Sequence, residues 1–568
     1  MTNEQIARVF DEIADMLEVS GDDFFRVRAY RNAARTVREC ATSLSTMTPS
    51  QIRELPGIGE DLASKIETLI KTGELPLHRE LSRKVPPGLV ALLRVPGLGP
   101  KRVRALNQEL GVRDLNTLKS ALESGGIAKL KGFGPKLEQH LRQYLAQLDN
   151  KTPERLRYVD AAAIVAQLIG HMKKSSAIVR LEVAGSFRRK KDTVGDLDVL
   201  VESTEPEAVA DALISFPMVK EVVARGETKT SVILQNGFQI DLRVVSRQSF
   251  GAALIYFTGS KAHGVHLRRI AQRKGLLLNE YGLYREGKMI AGQDEEGIYR
   301  ALGLAWIPPE LREDRGEIEA AELGRLPRLL ELEDMRGDLH THTTWTDGRA
   351  TLEEMALAAS ARGLEYIAVT DHSRRLAMVH GLDPKRLREQ WREIEKVQAK
   401  VPNVKLLRGI EVDIMEDGSL DLPNDVLAEL DWVVASVHYK LNQAPNAMTK
   451  RLIKAIRNPH VDVIGHPTGR LINQREPSNF DLDEVLRVCR EEGCALEVNS
   501  QPDRLDLNDV ACLSAKRAGV RLVISTDAHH PRDFAAIEFG VSQARRGWIE
   551  AADVLNTRPL NELLRLRR

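Results

Sequence analysis

Residues 183–201 read Val183-Ala184-Gly185-Ser186-Phe187-Arg188-Arg189-Lys190-Lys191-Asp192-Thr193-Val194-Gly195-Asp196-Leu197-Asp198-Val199-Leu200-Val201. An apolar strand runs into Gly-Ser and a basic pair, the chain turns, and a second strand carries carboxylates at i and i+2. Side chains two apart on a strand share a face, so Asp196 and Asp198 project side by side. Two carboxylates that close repel each other unless cations lie between them. Gly185 and Ser186 supply backbone N–H groups and a hydroxyl, and Arg189 adds a guanidinium, a set suited to gripping a polyphosphate. A third carboxylate, Asp241, sits in the apolar strand pattern Phe238-Gln239-Ile240-Asp241-Leu242. Gly-Ser, then Asp-x-Asp, then a distant strand aspartate is the layout of two-metal nucleotidyl transfer. An Asp-x-Asp pair that merely keeps an edge strand soluble leaves the Gly-Ser-Phe-Arg-Arg ahead of it without a reason.

Upstream, residues 1–85 read as helices, with Ile6, Val9, Phe10, Ile13, Met16 and Leu17 at helical spacing. Leu55-Pro56-Gly57-Ile58-Gly59 then opens a helix, Val95-Pro96-Gly97-Leu98-Gly99-Pro100-Lys101 repeats the pattern, and Leu130-Lys131-Gly132-Phe133-Gly134-Pro135-Lys136 repeats it again. Each is a helix–hairpin–helix element, in which paired glycines let the hairpin close and free backbone N–H groups to hold one phosphate. Gly57, Gly59, Gly97, Gly99 and Lys101 are therefore candidate DNA-backbone contacts, which carry no sequence information. Lys65, one turn into the first hairpin's second helix, is a candidate Schiff-base nucleophile for an abasic sugar; a solvated helix lysine is the plainer reading.

Lys229, in the strand preceding Asp241, is placed to touch a strand phosphate. Tyr256 and Phe257 stand with Gly259 at a break before a basic helix bearing Arg268, where they suit stacking on a sugar and base or simply form core. Charge is balanced over the 568 residues, 82 basic against 81 acidic, but unevenly spread. Residues 86–150 hold ten Lys/Arg against five Asp/Glu, which fits a phosphate-backbone partner. Residues 310–335 reverse to nine acidic against four basic and, after Pro308-Pro309, read as a tether. The four cysteines show no paired spacing, and neither a signal sequence nor a long apolar run is evident. The expectation is a cytoplasmic, nucleoid-associated monomer with no membrane contact.

From Arg336 the composition changes, and nine of the 14 histidines lie beyond it. Apolar β-branched runs end again and again in polar groups: His340 and His342, Asp371-His372, Glu411, His438, His466, Asn499, and Asp527 with His529. Seven such strands alternating with helical segments predict a parallel α/β barrel whose strand ends converge on one mouth. Imidazole with carboxylate suits Zn²⁺ or Mn²⁺.

Residues 1–309 resemble a family X DNA polymerase through Leu-Pro-Gly-Ile-Gly, Val-Pro-Gly-Leu-Gly, Gly-Ser-Phe-Arg-Arg, Gly-Asp-Leu-Asp, Ile-Asp-Leu-Arg and Tyr-Phe-Thr-Gly-Ser. The resemblance implies that Asp196, Asp198 and Asp241 hold Mg²⁺ or Mn²⁺, and that Gly185, Ser186, Arg189 and Arg155 bind the incoming triphosphate. It further implies that Tyr256, Phe257 and Gly259 line the sugar pocket, that Arg268 approaches the template, and that Lys65 stands at the lyase position. Lys261, Gly264, Gln239 and Asp61 depart from the family pattern, the last weakening the lyase case. Residues 336–568 resemble the polymerase-and-histidinol-phosphatase (PHP) domain, a metal-dependent phosphoesterase. That likeness implies a site of up to three Mn²⁺ or Zn²⁺ ions on His340, His342, Asp347, His372, Glu411, His438, His466, Asp527 and His529.

Together these imply a multidomain α+β and α/β chain. Its parts are a helical lyase-like domain (1–85), a helix–hairpin–helix DNA-binding domain (86–150), a nucleotidyltransferase palm (151–245), a small α+β thumb (246–309), an acidic linker (310–335) and a distorted (β/α)7 barrel (336–568). The implied activities are filling of short gaps in base excision repair, with gapped or nicked DNA and dNTPs as substrates, and 3′–5′ exonuclease action, with abasic-site cutting a further possibility. The competing reading is a DNA-end-binding protein whose barrel alone is active, on a small phosphorylated metabolite.

Overall fold

The computed structural model describes residues 1, 3–40, 44–95, 98–123, 127, 130, 133–134, 137–138, 141–142 and 155–567. It divides into two compact units, residues 1–153 and 154–568. In the first, helix Asn3–Ser20 buries Ile6, Phe10, Ile13 and Leu17, the apolar stripe read from the sequence. One apolar cluster runs from Ile6 to Leu141, so the two helical segments read separately share a core. The three glycine hairpins close alike: Ile58, Leu98 and Phe133 donate their N–H to the carbonyls of Leu55, Val95 and Leu130. Gly57 takes φ +78°, open to glycine at little cost. Gly59 and Gly99 cap helices Glu60–Thr72 and Pro100–Leu110. Gly97, expected to contact DNA backbone, lies outside the described residues.

The second unit begins with a five-stranded sheet in the order Arg180–Val183, Asp196–Glu202, Gln239–Val245, Lys229–Leu234, Val219–Arg225. Strands Asp196–Glu202 and Gln239–Val245 run parallel, with Asp198 opposite Asp241. The alternating apolar residues Leu197, Val199, Val201, Ile240, Leu242 and Val244 point to the core beneath, which leaves the aspartates on the other face. Helices Phe250–Thr258 and Lys261–Arg273 and a three-stranded antiparallel sheet, Leu277–Asn279, Gly282–Arg285 and Lys288–Ala291, follow.

Residues 310–335 are not a free tether. Leu311, Ile318, Ala321 and Leu329 join the core of the thumb, and Leu330 joins that of the barrel. The charges that suggested solvation are paired instead. Arg312, fully buried, grips Glu295 at 2.7 and 3.0 Å, and Arg188 grips the same carboxylate at 2.7 and 2.9 Å. Burial alone raises the Glu295 pKa, but Arg312 and Arg188 outweigh it and hold the carboxyl well below its usual range. Removing one partner of a buried pair strands the other. Glu295→Leu leaves the guanidiniums of Arg312 and Arg188 without their shared carboxylate and is therefore expected to lower the stability of this unit by about 3–5 kcal/mol, read as a shift in denaturant midpoint.

The barrel is the predicted one. Seven parallel strands, Gly337–Thr341, Tyr366–Val369, Lys405–Asp413, Trp432–Ser436, Val463–Ile464, Ala495–Asn499 and Leu522–Ser525, lie in chain order. A parallel bridge from Thr341 to Ala528 joins the last strand end to the first. Leu339, Trp432, Val434 and Val523 belong to one apolar cluster, while strand residues such as Ile367, Ile410 and Leu496 belong to another with the surrounding helices. Among the described residues no helix is long and apolar enough to cross a membrane.

Candidate active sites of the palm and the barrel

In the palm, Asp198 is pushed up to about 6, first by burial and then by Asp196 and Asp241. Asp241 is also partly buried, yet falls below the usual carboxylate range because Ser231, Gln239 and Lys229 bond it. Gln239 Nε2 donates to Oδ1 at 2.9 Å and Lys229 Nζ lies 3.0 Å from Oδ2. Lys229, expected on a strand phosphate, thus rests on a carboxylate here. Gly185 sits at φ +65°, and a Cβ there would meet Asp198 Oδ2 at 2.9 Å. The turn therefore approaches the aspartates as no larger residue allows. Tyr256 is 45% exposed, edge-on to Phe257 at 5.0 Å, with the Arg268 guanidinium 5.9 Å from its ring. Phe257 is the less exposed of the two and lies 4.6 Å from the Arg243 guanidinium, so core and pocket readings both apply to it.

Two expected triphosphate ligands are engaged elsewhere. Arg189 donates from Nε to Glu313 Oε1 at 3.0 Å and from Nη1 to the Thr258 carbonyl. Arg155 donates to Thr193 Oγ1 at 3.1 Å and to its carbonyl at 3.0 Å. In the helical unit, Lys65 pairs with Asp61 and lies 5.8 Å from the Tyr30 ring centroid.

At the barrel mouth all nine expected residues gather. Three groups bring ligand atoms within 4.8 Å of one another: His342, Asp347, His372 and His529; His340, His342 and Asp527; His372, Glu411 and His438. Glu411 is central, its carboxylate 2.7 Å from His372 Nδ1, 2.9 Å from His466 Nε2, 3.2 Å from His438 Nε2 and 3.5 Å from His340 Nε2. Asp347 reaches His372 Nε2 at 3.2 Å and His529 Nε2 at 3.3 Å. His466 and Asp527 adopt φ +25° and +53°, uncommon for residues with a side chain and typical of functional positions.

This donor set suits divalent cations. Both ring nitrogens of His342 are sealed from solvent without an aligned hydrogen bond, although Nε2 is 3.1 Å from Asp527 Oδ1. Nitrogens so buried and unpaired are costly unless a cation takes them. Burial, followed by His529 and His372, lowers His342 to about 3 and keeps it neutral. Burial also opposes charge on His372, His438 and His529, but Glu411 and Asp347 prevail and raise them to about 10, 9 and 9. In the absence of cations these imidazoles hold protons at neutral pH, which metal must displace. Metal loading is therefore expected to release protons, and the apparent affinity to rise from pH 6 to 8. Calorimetry in two buffers of different ionisation enthalpy measures the release.

The sequence reading missed the carboxylates behind the histidines. Glu497 accepts from His340 Nδ1 at 2.7 Å and from the His466 N–H at 2.6 Å, and Asp413 lies 3.3 Å from His438 Nδ1. Each fixes a ring so that Nε2 faces Glu411. Their signal was present, since Asp413 closes strand Lys405–Asp413 and Glu497 interrupts the apolar strand Ala495–Asn499, but neither belongs to a His-bearing pattern.

A palm with three strand-borne aspartates, joined to a histidine-rich parallel barrel, defines a two-centre metal-dependent enzyme of phosphate chemistry. Family models agree: the DNA polymerase beta palm matches residues 156–270, its thumb 253–313, a helix-hairpin-helix domain 1–75, a SAM-like helix-hairpin-helix tandem 89–146 and the PHP domain 338–501. The chain is 40% identical to the DNA polymerase/3′-5′ exonuclease PolX of Bacillus subtilis (strain 168), over 99% of both chains. The chain is 33% identical to a probable phosphatase of Thermoanaerobacter sp. (strain X514), over 39% of this chain and 89% of the relative. A probable phosphatase of Caldicellulosiruptor bescii is 30% identical over 35% and 82%. The chain belongs to the family X DNA polymerases that carry a C-terminal PHP domain.

Proposed function

We propose that this chain fills short gaps in DNA with its palm and shortens 3′ ends with its barrel, in base excision repair. The observation that carries the reading is the pairing of Asp198 with Asp241 across parallel strands, with Asp196 on the same face. Asp196, Asp198 and Asp241 would hold Mg²⁺ or Mn²⁺, which would supply positive charge to acidify a primer 3′-hydroxyl and steady pyrophosphate. The chain's own contribution is placement. Gly185 and Ser186 present backbone N–H groups and a hydroxyl to the triphosphate, Tyr256 stands at the sugar, and Arg268 meets the template. Arg189 joins the triphosphate by leaving Glu313, and Arg155 by leaving Thr193. The glycine hairpins hold DNA backbone through Gly57, Gly59, Gly97, Gly99 and Lys101, and Lys229 reaches a strand phosphate by leaving Asp241.

In the barrel, His340, His342, Asp347, His372, Glu411, His438, His466, Asp527 and His529 would hold up to three Mn²⁺ or Zn²⁺ ions, which would supply the Lewis acidity that activates water against a phosphodiester. Lys65 serves as an abasic-site lyase only when Asp61 releases it. The protein acts as a cytoplasmic monomer. The experiment is extension of a labelled primer on a gapped duplex with dNTPs in Mg²⁺ or Mn²⁺, and shortening of the same 3′ end without dNTPs. Extension in neither metal overturns the polymerase assignment.

A further inference from the structure

The palm segment proposed to grip the triphosphate is held from behind by the barrel domain. Arg546, 2% exposed at the end of helix Ile537–Arg546, donates from Nη1 to the Arg189 carbonyl at 2.6 Å and to Glu313 Oε1 at 3.2 Å. Its other nitrogen bonds Asp509, so one planar fork ties the barrel to the backbone of the gripping turn. Two further bridges reach the palm beside it: Arg470 Nη1 donates to Asp192 Oδ2 at 3.1 Å, and Asn473 Nδ2 donates at 2.8 Å to the carbonyl of Arg155, whose side chain bonds Thr193. Phe539 packs edge-on against Tyr158, which itself stacks on Phe187 at 5.0 Å. Both expected triphosphate arginines, 189 and 155, thus have their backbone carbonyls bonded by barrel side chains.

We infer that Arg546, Arg470 and Asn473 are positioning residues for the polymerase site: the barrel domain, besides its own chemistry, sets the palm's affinity for nucleoside triphosphate. Charge explains why Arg546 is needed. Glu313 is 4% exposed and accepts from Arg189. With Arg189 as its sole partner, this buried carboxylate would be stranded whenever Arg189 turned to a triphosphate. Arg546 remains on Glu313, with Lys191 Nζ 3.9 Å away, so the carboxylate stays neutralised and Arg189 is free to move. The bridges at Asp192 and Arg155 meanwhile hold the turn's backbone in register with Asp198.

The inference rests on the polymerase reading, and its test separates the two. Full-length Arg546→Lys keeps the charge but cannot make the fork's three bonds. The double variant Asp192→Ala/Asn473→Ala cuts the two outer bridges and keeps Arg546, Glu313 and Asp509 in place. Steady-state extension on saturating gapped DNA is expected to show KM for dNTP about 10-fold higher in each, with kcat and the rate of 3′ shortening within about twofold of wild type. Should Arg546→Lys fail to fold, the double variant decides. An unchanged KM in the double variant, or equal losses of extension and shortening, overturns the inference. Absence of extension by wild type overturns the polymerase reading instead.

Discussion

Asp198→Ala is expected to reduce gap extension at least about 10³-fold while leaving 3′ shortening intact. Ligation of a catalytic cation is worth several kcal/mol of transition-state stabilisation, and each 1.36 kcal/mol is about tenfold in rate. Asp198 is the aspartate with the least to replace it, because it lies between Asp196 on its own strand and Asp241 on the neighbour. The loss is not expected to come from unfolding. The Asp198 pKa is raised from 3.8 to about 6, so without cations the folded chain binds a proton there more tightly than the unfolded chain does. Ionised Asp198 therefore weighs against the fold, with a penalty that is absent below about pH 3.8 and complete above about pH 6. At pH 7 and without metal, the variant should unfold no earlier than wild type in a thermal scan. A variant that extends primers within tenfold of wild type would remove Asp198 from the metal site.

His342→Ala is expected to abolish 3′ shortening to a similar degree, with extension unchanged. His342 belongs to two of the three donor groups, one with Asp347, His372 and His529 and one with His340 and Asp527. Its loss dismantles both. His438 belongs to one group only, so His438→Ala should retain more metal and more activity. Metal content by elemental analysis tests the ordering directly, independent of turnover. The two proposed sites share no residue, so Asp198→Ala and His342→Ala should combine additively, each eliminating one activity. Equal metal content in the two histidine variants would contradict the shared position of His342.

Much of the chemistry was legible from order alone, and for a physical reason. The strand period forces Asp196 and Asp198 onto one face, as it forces His340 and His342 toward one mouth, whatever the rest of the chain does. A glycine hairpin is likewise local: three stretches with the same spacing closed with the same N–H to carbonyl bond. The expected ligands beyond a single motif, such as Glu411 and Asp527, were legible because a parallel barrel brings every strand end to one side. Asp347 was reached through the likeness to the PHP domain, since it lies off the strands.

Partnership was a different matter. Arg189 reads as a free phosphate ligand, yet its guanidinium meets Glu313, 124 positions later, and its carbonyl meets Arg546, 357 positions later. Residues 310–335 read as a solvated acidic tether because a count of charges says nothing about which arginine each carboxylate faces. Glu497, 157 positions from the His340 ring it orients, was likewise invisible as a partner. Backbone periodicity and hairpin geometry act over a few residues, so the linear chain determined the elements, the catalytic faces and the barrel. Ion pairs and ring orientations depend on distances across packed layers, and only the tertiary structure decided those.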